Sequence, residues 1–259
     1  IMIRIDYDTL DSTSNRALTL GRLNPQRPLL VAARVQTLGR GRAGRPWVSP
    51  RGGAWFSIAW PLAPTSADMS AAPLMVGLAV GQTLARRYGD ALATRLEVKW
   101  PNDVLLGGRK LAGVLCERPI ASDAQPPAMM IVGVGINANV EPDRLAAQPG
   151  LEPTSLQSAL GEAVDVRALI DEVGEQIATY LTTLARDGLT DAMREALEAR
   201  LAWRGDTVTL KRGPHEATGR LIGIDERGRL RLETDGGEQR FDAGELVSLH
   251  QPCAADGSR

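Results

Sequence analysis

The sequence predicts an α+β chain: a β-sheet at the centre of the first 140 residues, helices up to about residue 202, and a small all-β barrel at the end. Three observations predict it. Short apolar runs bounded by Gly, Pro, Asn or Asp recur up to residue 137, apolar spacings of three and four take over from 165, and short strand-like runs return from 207. With 43% hydrophobic and 24% charged residues among 259, the composition is that of a globular chain, neither disordered nor collagen-like.

The strands of the first region are IRIDYD at the start, LLVAARVQ at 29–36, AWFSIAW at 54–60, LEVKW at 96–100, KLAGVLCE at 110–117 and MMIVGVGIN at 129–137. Residues 70–88 interrupt them with Leu74, Val76, Leu78, Val80 and Leu84 around nearly the whole circumference, behind Pro73 at a first-turn position. This predicts a buried helix. Gly107-Gly108 between Leu106 and Arg109 predicts a two-residue hairpin, because glycine accepts positive φ at no steric cost. A loose Pro-rich loop spans 119–127. From 165 to 188, Val166, Leu169, Ile170, Val173, Ile177, Tyr180, Leu181 and Leu184 form an amphipathic helix with Asp165 as cap and Gly188 as terminator. A second helix, capped near Thr190, carries Met193, Leu197 and Leu201 to about Ala202. Five short strands follow, TVTLK, ATGRLIGID, RLRLET, QRFDA and ELVSLH, and fit a small barrel. The predicted domains are therefore 1–203 and 204–259.

Several function classes fall away. Thirty Lys plus Arg balance 31 Asp plus Glu, for a net charge of −1, so no general attraction to nucleic acid or anionic membrane is expected and any polyanion site is local. Cys116 and Cys253 lie far apart without CxxC spacing, and with His215 and His250 as the other soft ligands neither a disulfide framework nor structural zinc is expected. No apolar run reaches the ~18 residues a membrane helix needs, and the opening IMIRIDYDTL has acids where a signal peptide has its hydrophobic core. The expected location is the cytosol.

The most informative stretch is Gln36-Thr37-Leu38-Gly39-Arg40-Gly41-Arg42-Ala43-Gly44-Arg45-Pro46-Trp47, within a segment holding five arginines from Arg34 to Arg51. Gly39 to Gly44 satisfies GxGxxG, but Arg45-Pro46-Trp47-Val48-Ser49-Pro50 cannot open the helix that a dinucleotide site requires. What remains is a mobile glycine-containing loop holding Arg40, Arg42 and Arg45 without counter-charges, suited to phosphate or carboxylate. Trp47 adds a stacking face. In Val98-Lys99-Trp100-Pro101-Asn102-Asp103, Lys99 reads equally as an exposed strand lysine or a catalytic one. In Gly133-Val134-Gly135-Ile136-Asn137, alternate glycines strip one strand face, for a ligand or for a packing bulge. Asp11-Ser12-Thr13-Ser14-Asn15 reads first as a helix cap.

Taken together and in this order, DSTSN, QTLGRGRAGRPW, VKWPNDV, KLAGVLCE and GVGIN resemble the biotin protein ligase family over nearly the whole chain. The resemblance implies a catalytic domain with a central mixed β-sheet flanked by helices and an SH3-like tail. It implies activation of biotin by ATP to biotinyl-5′-AMP, with Mg²⁺ on the triphosphate, and transfer to one lysine of a biotin carboxyl carrier protein. Ser12, Thr13 and Ser14 match the segment binding the ureido ring, and Gln36 a residue near the biotin carboxylate. Gly39, Arg40, Gly41 and Arg42 match the loop over biotin and phosphate, with Gly113 and Gly133 on the biotin side. Lys99 matches a lysine contacting carboxylate and phosphate, and Lys110 a second phosphate-side lysine; Lys99 and Arg40 are the expected catalytic residues, in a cationic clamp with Arg42 and Lys110. Arg45, Trp47, Asn102, Asp103 and Asn137 match the nucleotide side. Many members read DSTN where this chain has Ser14 and then Asn15.

Two rivals remain at this level. A lipoate or octanoate ligase or transferase shares the sheet architecture, with Cys116 as the conceivable nucleophile, but an apolar strand favours an inert thiol. A nucleic-acid-binding Arg-Gly loop is opposed by the balanced charge. Because the first motif begins at Asp11, the reading is a monofunctional ligase without a DNA-binding domain, monomeric or homodimeric, with no membrane or nucleic-acid partner.

Overall fold

The computed structural model describes residues 2–63, 65–119, 129–147 and 150–248. His250, Cys253, the end of the predicted ELVSLH strand and most of the Pro-rich loop lie outside them. Seven strands form the main sheet: β1 (Ile3–Leu10), β2 (Leu29–Gln36), β3 (Ala54–Pro61), β4 (Leu96–Lys99), β5 (Asp103–Leu106), β6 (Arg109–Glu117) and β7 (Met129–Ile136). Their order is β1-β2-β3-β7-β6-β5-β4, with β1 parallel to β2 and every other pair antiparallel, so the sheet is mixed. Gly107 and Gly108, at φ 57° and 74°, make the two-residue turn between β5 and β6.

Alternation along these strands gives the sheet two unlike faces. Leu30, Ala32, Phe56, Ile58, Val98, Val104, Val132 and Val134 point to the large core. There they meet α2 (Ala72–Tyr88), buried nearly all round, and α5 (Val166–Asp187), which packs across it with Leu169, Val173, Ile177, Leu181 and Leu184. The other face is covered over its β2–β3–β7 part by α1 (Thr13–Leu23), which packs Ala17 in one buried cluster with Leu29, Val31, Ala59 and Ile131. The rest of that face stays open and becomes the site. Two short helices, α3 (Asp90–Ala93) and α4 (Leu156–Leu160), complete this part.

α6 (Asp191–Glu198) is shorter than the apolar stripe through Leu201 predicts. The edge strand β4 captures the following backbone: Val98 N–H donates to the Arg200 carbonyl at 2.8 Å and Ala202 N–H to the Val98 carbonyl at 3.0 Å. An open strand edge thus competes for the last helical turn and takes it. The tail strands β8 (Thr207–Arg212), β9 (His215–Ile224), β10 (Leu230–Thr234), β11 (Gly237–Phe241) and β12 (Glu245–Ser248) form an antiparallel sheet in the order β11-β10-β9-β8-β12, the SH3-like arrangement in which the last strand returns beside the first.

The tail is not a separate bead. Val208, Leu210, Leu221, Ile224, Leu230, Leu232 and Leu246 belong to the same buried cluster as α2 and the main sheet. Trp100, 1% exposed, donates its indole N–H to the Gly228 carbonyl at 3.1 Å, and Arg227 pairs with Asp68 at 2.8 Å. The turn bearing Gly228 is tied by Asp225, which accepts from Arg227 N, Arg229 N and Arg229 Nε; burial pushes its carboxyl up, but these bonds hold it below its ordinary value. Trp100→Ala is expected to destabilise the whole chain by about 3–5 kcal/mol, and Trp100→Phe by about 1–3 kcal/mol through the orphaned carbonyl. Chemical unfolding followed by circular dichroism measures both, and a loss confined to the tail would refute a shared core.

Candidate active site

The open face of the main sheet carries Ser57, Lys99, Asp103, Lys110, Gly113, Leu115, Gly133 and Gly135, all lining one cavity. Glycines at facing positions make room for it. The Trp47 indole lies against the sheet so closely that a Cβ on Gly135 would stand 2.4 Å from its Nε1, and one on Gly113 2.9 Å from its ring. Trp55 meets Trp47 edge-on at 6.4 Å, and Lys110 Nζ lies 5.2 Å from its ring centroid. Trp47 therefore sits beside Gly113 and Gly135 with its indole nitrogen buried and without a hydrogen-bond partner.

One end of the cavity is a set of linked hydroxyls. Ser12 caps α1, its Oγ accepting from Asn15 N–H at 3.5 Å, so the cap reading of DSTSN holds. Capping also turns the next two side chains inward. Thr13 N–H and Oγ1 donate to Gln36 Oε1 at 2.8 and 3.0 Å, and Ser57 Oγ lies 2.7 Å from Thr13 Oγ1 and 3.0 Å from Ser14 Oγ. Gln36 Nε2 donates to Ser49 Oγ at 2.9 Å. Ser14 lines the cavity, whereas Asn15 turns outward to Asp11 and Arg40.

The other end is cationic. Lys99 ends β4 and Asp103 opens β5 directly opposite, across the turn made by Trp100, Pro101 and Asn102. Lys99 is only 6% exposed, which removes the exposed-lysine reading; its Nζ lies 3.9 Å from Asp103 and 5.5 Å from the Trp203 ring centroid. Lys110 Nζ meets the same carboxylate at 2.8 Å. Burial pushes the Lys99 amine down, against the pull of Asp103. Arg42 donates to Asn102 Oδ1 at 3.2 Å and to the Gly244 carbonyl at 3.4 Å, while Asn102 Nδ2 donates to the Val114 carbonyl at 2.8 Å.

The arginine stretch differs from expectation in two respects. It is a hydrogen-bonded hairpin, with Gly41 N–H donating to the Arg45 carbonyl at 2.7 Å and Trp47 N–H to the Gly39 carbonyl at 2.8 Å, around a tight turn at Arg42–Gly44. Nor do its charges lack partners: Arg40 pairs with Glu117 at 3.0 Å, Arg45 with Glu245 at 3.2 Å and Arg51 with Asp8 at 3.0 Å. Each carboxylate comes from a distant segment, which local composition does not reveal.

Two expected site residues lie outside this cavity. Gly39 packs where a Cβ would stand 2.4 Å from the Trp47 carbonyl, and Asn137 borders a smaller cleft beyond Trp47 with Pro46, Lys110 and Pro153, its Nδ2 donating to the carbonyls of Lys110 and Thr154 at 3.3 and 3.0 Å. Arg40 lines the cavity at the hydroxyl end, where it also donates to Asn15 Oδ1 at 2.5 Å, rather than beside the lysines. Gln36, Gly41, Arg45 and Trp47 line the cavity as well. Sequence reasoning missed Ser57, Glu117, Glu245 and Trp203. Ser57 had a signal, as the one polar residue in an otherwise apolar run; the others had none.

Because Lys99 loses its proton more readily folded than unfolded, the folded state binds fewer protons than the unfolded one between its lowered value and the ordinary 10.5, and stability rises with pH across that window. Lys99→Met removes a desolvated charge while Asp103 keeps Lys110. The variant is expected to melt no lower than the native chain at pH 7, with the native chain gaining on it as pH approaches 10. Melting curves at pH 7 and 10 test this; a variant that melts lower at pH 7 would mean that the Asp103 attraction outweighs desolvation.

Known proteins align with this geometry. The profile of the Biotin/lipoate A/B protein ligase family matches residues 7–137, and that of the Biotin protein ligase C terminal domain matches residues 205–247. The biotin--[acetyl-CoA-carboxylase] ligase of Paracoccus denitrificans is 38% identical over 221 residues, covering 83% of this chain and 88% of that one. The bifunctional ligase/repressor BirA of Bacillus subtilis is 30% identical over 249 residues, covering 93% of this chain and 73% of its own. The structure of the biotin protein ligase from Aquifex aeolicus in complex with biotin and ATP superposes with a TM-score of 0.78 at 29% identity, covering 95% of this chain and 98% of that chain. With this coverage of both chains, and with the tail profile as well as the main one matched, the chain belongs to the biotin protein ligase family.

Proposed function

We propose that this chain joins biotin to ATP, forming biotinyl-5′-AMP and pyrophosphate, and then passes biotin to one lysine of a biotin carboxyl carrier protein. The observation that carries the reading is the single cavity with hydroxyls at one end and cations at the other. Thr13, Ser14 and Ser57 suit the paired donors and acceptor of a ureido ring, and the glycine face suits an apolar chain laid flat along the sheet. Arg42, Lys99 and Lys110 suit the place where a carboxylate meets an α-phosphate. The Aquifex aeolicus relative of the same fold was solved with biotin and ATP.

In the first step a carboxylate oxygen attacks the α-phosphorus and pyrophosphate leaves. Two anions must approach, so their repulsion needs fixed positive charge, and such preorganised contacts contribute on the order of 10²- to 10³-fold each in rate. Asp103 holds the Lys99 and Lys110 amines in place; Asn102 holds Arg42. In the second step the carrier amine attacks the acyl carbon and AMP leaves, so the chain needs no nucleophile of its own. Cys116 fits that absence, since desolvation pushes its thiol up to about 12. Mg²⁺ would arrive bound to the triphosphate, where it offsets the phosphate charge. We assign adenylation to residues 1–203 and give 204–259 the task of closing the cationic end through Gly244 and Glu245. We place the reaction in the cytoplasm, with the chain monomeric or homodimeric.

Incubation with ATP, labelled biotin and a carrier domain should put label on the carrier lysine; no label with active carrier would refute the reading. Lys99→Met should lower pyrophosphate release by about 10²-fold or more. Arg42→Gly should speed escape of the adenylate by roughly ten- to a hundredfold, equivalent to a charge-assisted contact of ~1.5–3 kcal/mol, more than Arg40→Gly, whose side chain is held at the hydroxyl end. Rapid dilution after single-turnover formation measures that escape.

A further inference from the structure

Among the 30 Lys and Arg of this chain only Lys99, Lys110 and Lys211 are lysines. The scarcity has a chemical meaning if the chain forms an acyl-adenylate, on which reading this inference rests. Such an anhydride acylates neutral amines within reach, whereas guanidinium stays protonated and does not react. Lys99 and Lys110 border the cavity but are buried, each held by Asp103, at 3.9 and 2.8 Å.

Lys211 is placed differently. It is exposed on β8, directly opposite Glu245 of β12 and Glu216 of β9, whose carboxylate its Nζ meets at 3.3 Å. Directly opposed residues of antiparallel strands carry their side chains on the same face, Cβ atoms about 4.5–5.5 Å apart. Glu245 itself lines the cavity and pairs with Arg45, and the neighbouring Gly244 carbonyl accepts from Arg42. The one exposed lysine therefore stands beside the residues that close the cationic end.

We propose that Lys211 is the site at which this chain biotinylates itself when no carrier is docked. The neutral Nζ attacks the carbonyl carbon of biotinyl-5′-AMP, an amide C–N bond forms as the C–O bond to the phosphate breaks, AMP leaves with the electron pair, and the amine proton passes to water. Arginine at the other basic positions leaves no competing lysine on the surface.

The full chain is incubated with biotin and ATP, without carrier but with an equal concentration of serum albumin, and both proteins are mapped by mass spectrometry. A second arm supplies biotinyl-5′-AMP in place of biotin and ATP. The expected result in both is biotin on Lys211 at a rate about tenfold or more above that of an average albumin lysine, because the amine and the bound adenylate share one molecule. Lys211→Arg should remove this label without changing pyrophosphate release or melting temperature. Labelling of Lys211 no faster than albumin, or label on Lys99 or Lys110 instead, overturns the assignment. Pyrophosphate release with Lys211 unlabelled refutes this site alone, whereas labelling from supplied adenylate without pyrophosphate release refutes the adenylation reading and leaves the site standing.

Discussion

One buried carboxylate organises the reactive end of this molecule. Asp103 sits between Lys99 at 3.9 Å and Lys110 at 2.8 Å, all three almost wholly removed from water. Two lysines side by side in such a place repel one another, and the aspartate between them offsets that repulsion in a direction set by strand geometry. That arrangement depends on register, since Lys99 faces Asp103 across the β4–β5 ladder and Asp103 faces Gly113 across β5–β6. A slip of one residue would carry the carboxylate to the α2 face and leave both lysines unpaired.

The same register produces the empty floor. Residues that alternate with the core-facing valines are here Ser57, Gly113, Gly133 and Gly135, small enough for the Trp47 indole and the α1 hydroxyls to lie against the sheet. Burial on one face supplies stability; smallness on the other supplies space. The two requirements fall on alternate residues of the same strands, so the sheet meets both without compromise.

The tail joins this scheme through two kinds of contact. Apolar residues of its sheet merge with the main core, and Trp100, from the turn that separates Lys99 from Asp103, hydrogen-bonds Gly228. A displacement of the tail would therefore be felt at the turn that positions the lysine and the aspartate. At the rim, Gly244 and Glu245 meet Arg42 and Arg45. The arginine hairpin is thus held from three sides: by Glu117 of β6, by Asn102 of the turn and by β12.

By itself the sequence determined the elements and the chemistry. Periodicity placed α2 and α5 and most strands, because burial of one face imposes a spacing that any window reveals; the Gly-Gly turn and the Asp165 cap are local backbone requirements, legible for the same reason. The motifs marked most of the cavity, since Ser12, Thr13, Ser14, Arg42, Lys99, Asp103 and Lys110 do converge on it. Tertiary structure decided what depends on distant partners. Lys99 is buried because Trp203 and Asp103 close over it; Arg40 goes to the hydroxyl end because Glu117, 77 residues away, receives it; α6 ends early because the β4 edge takes its backbone. None of these is a property of neighbouring residues: each is a competition between a local preference and a contact that exists only once the chain has folded, and the contact removed from water prevails.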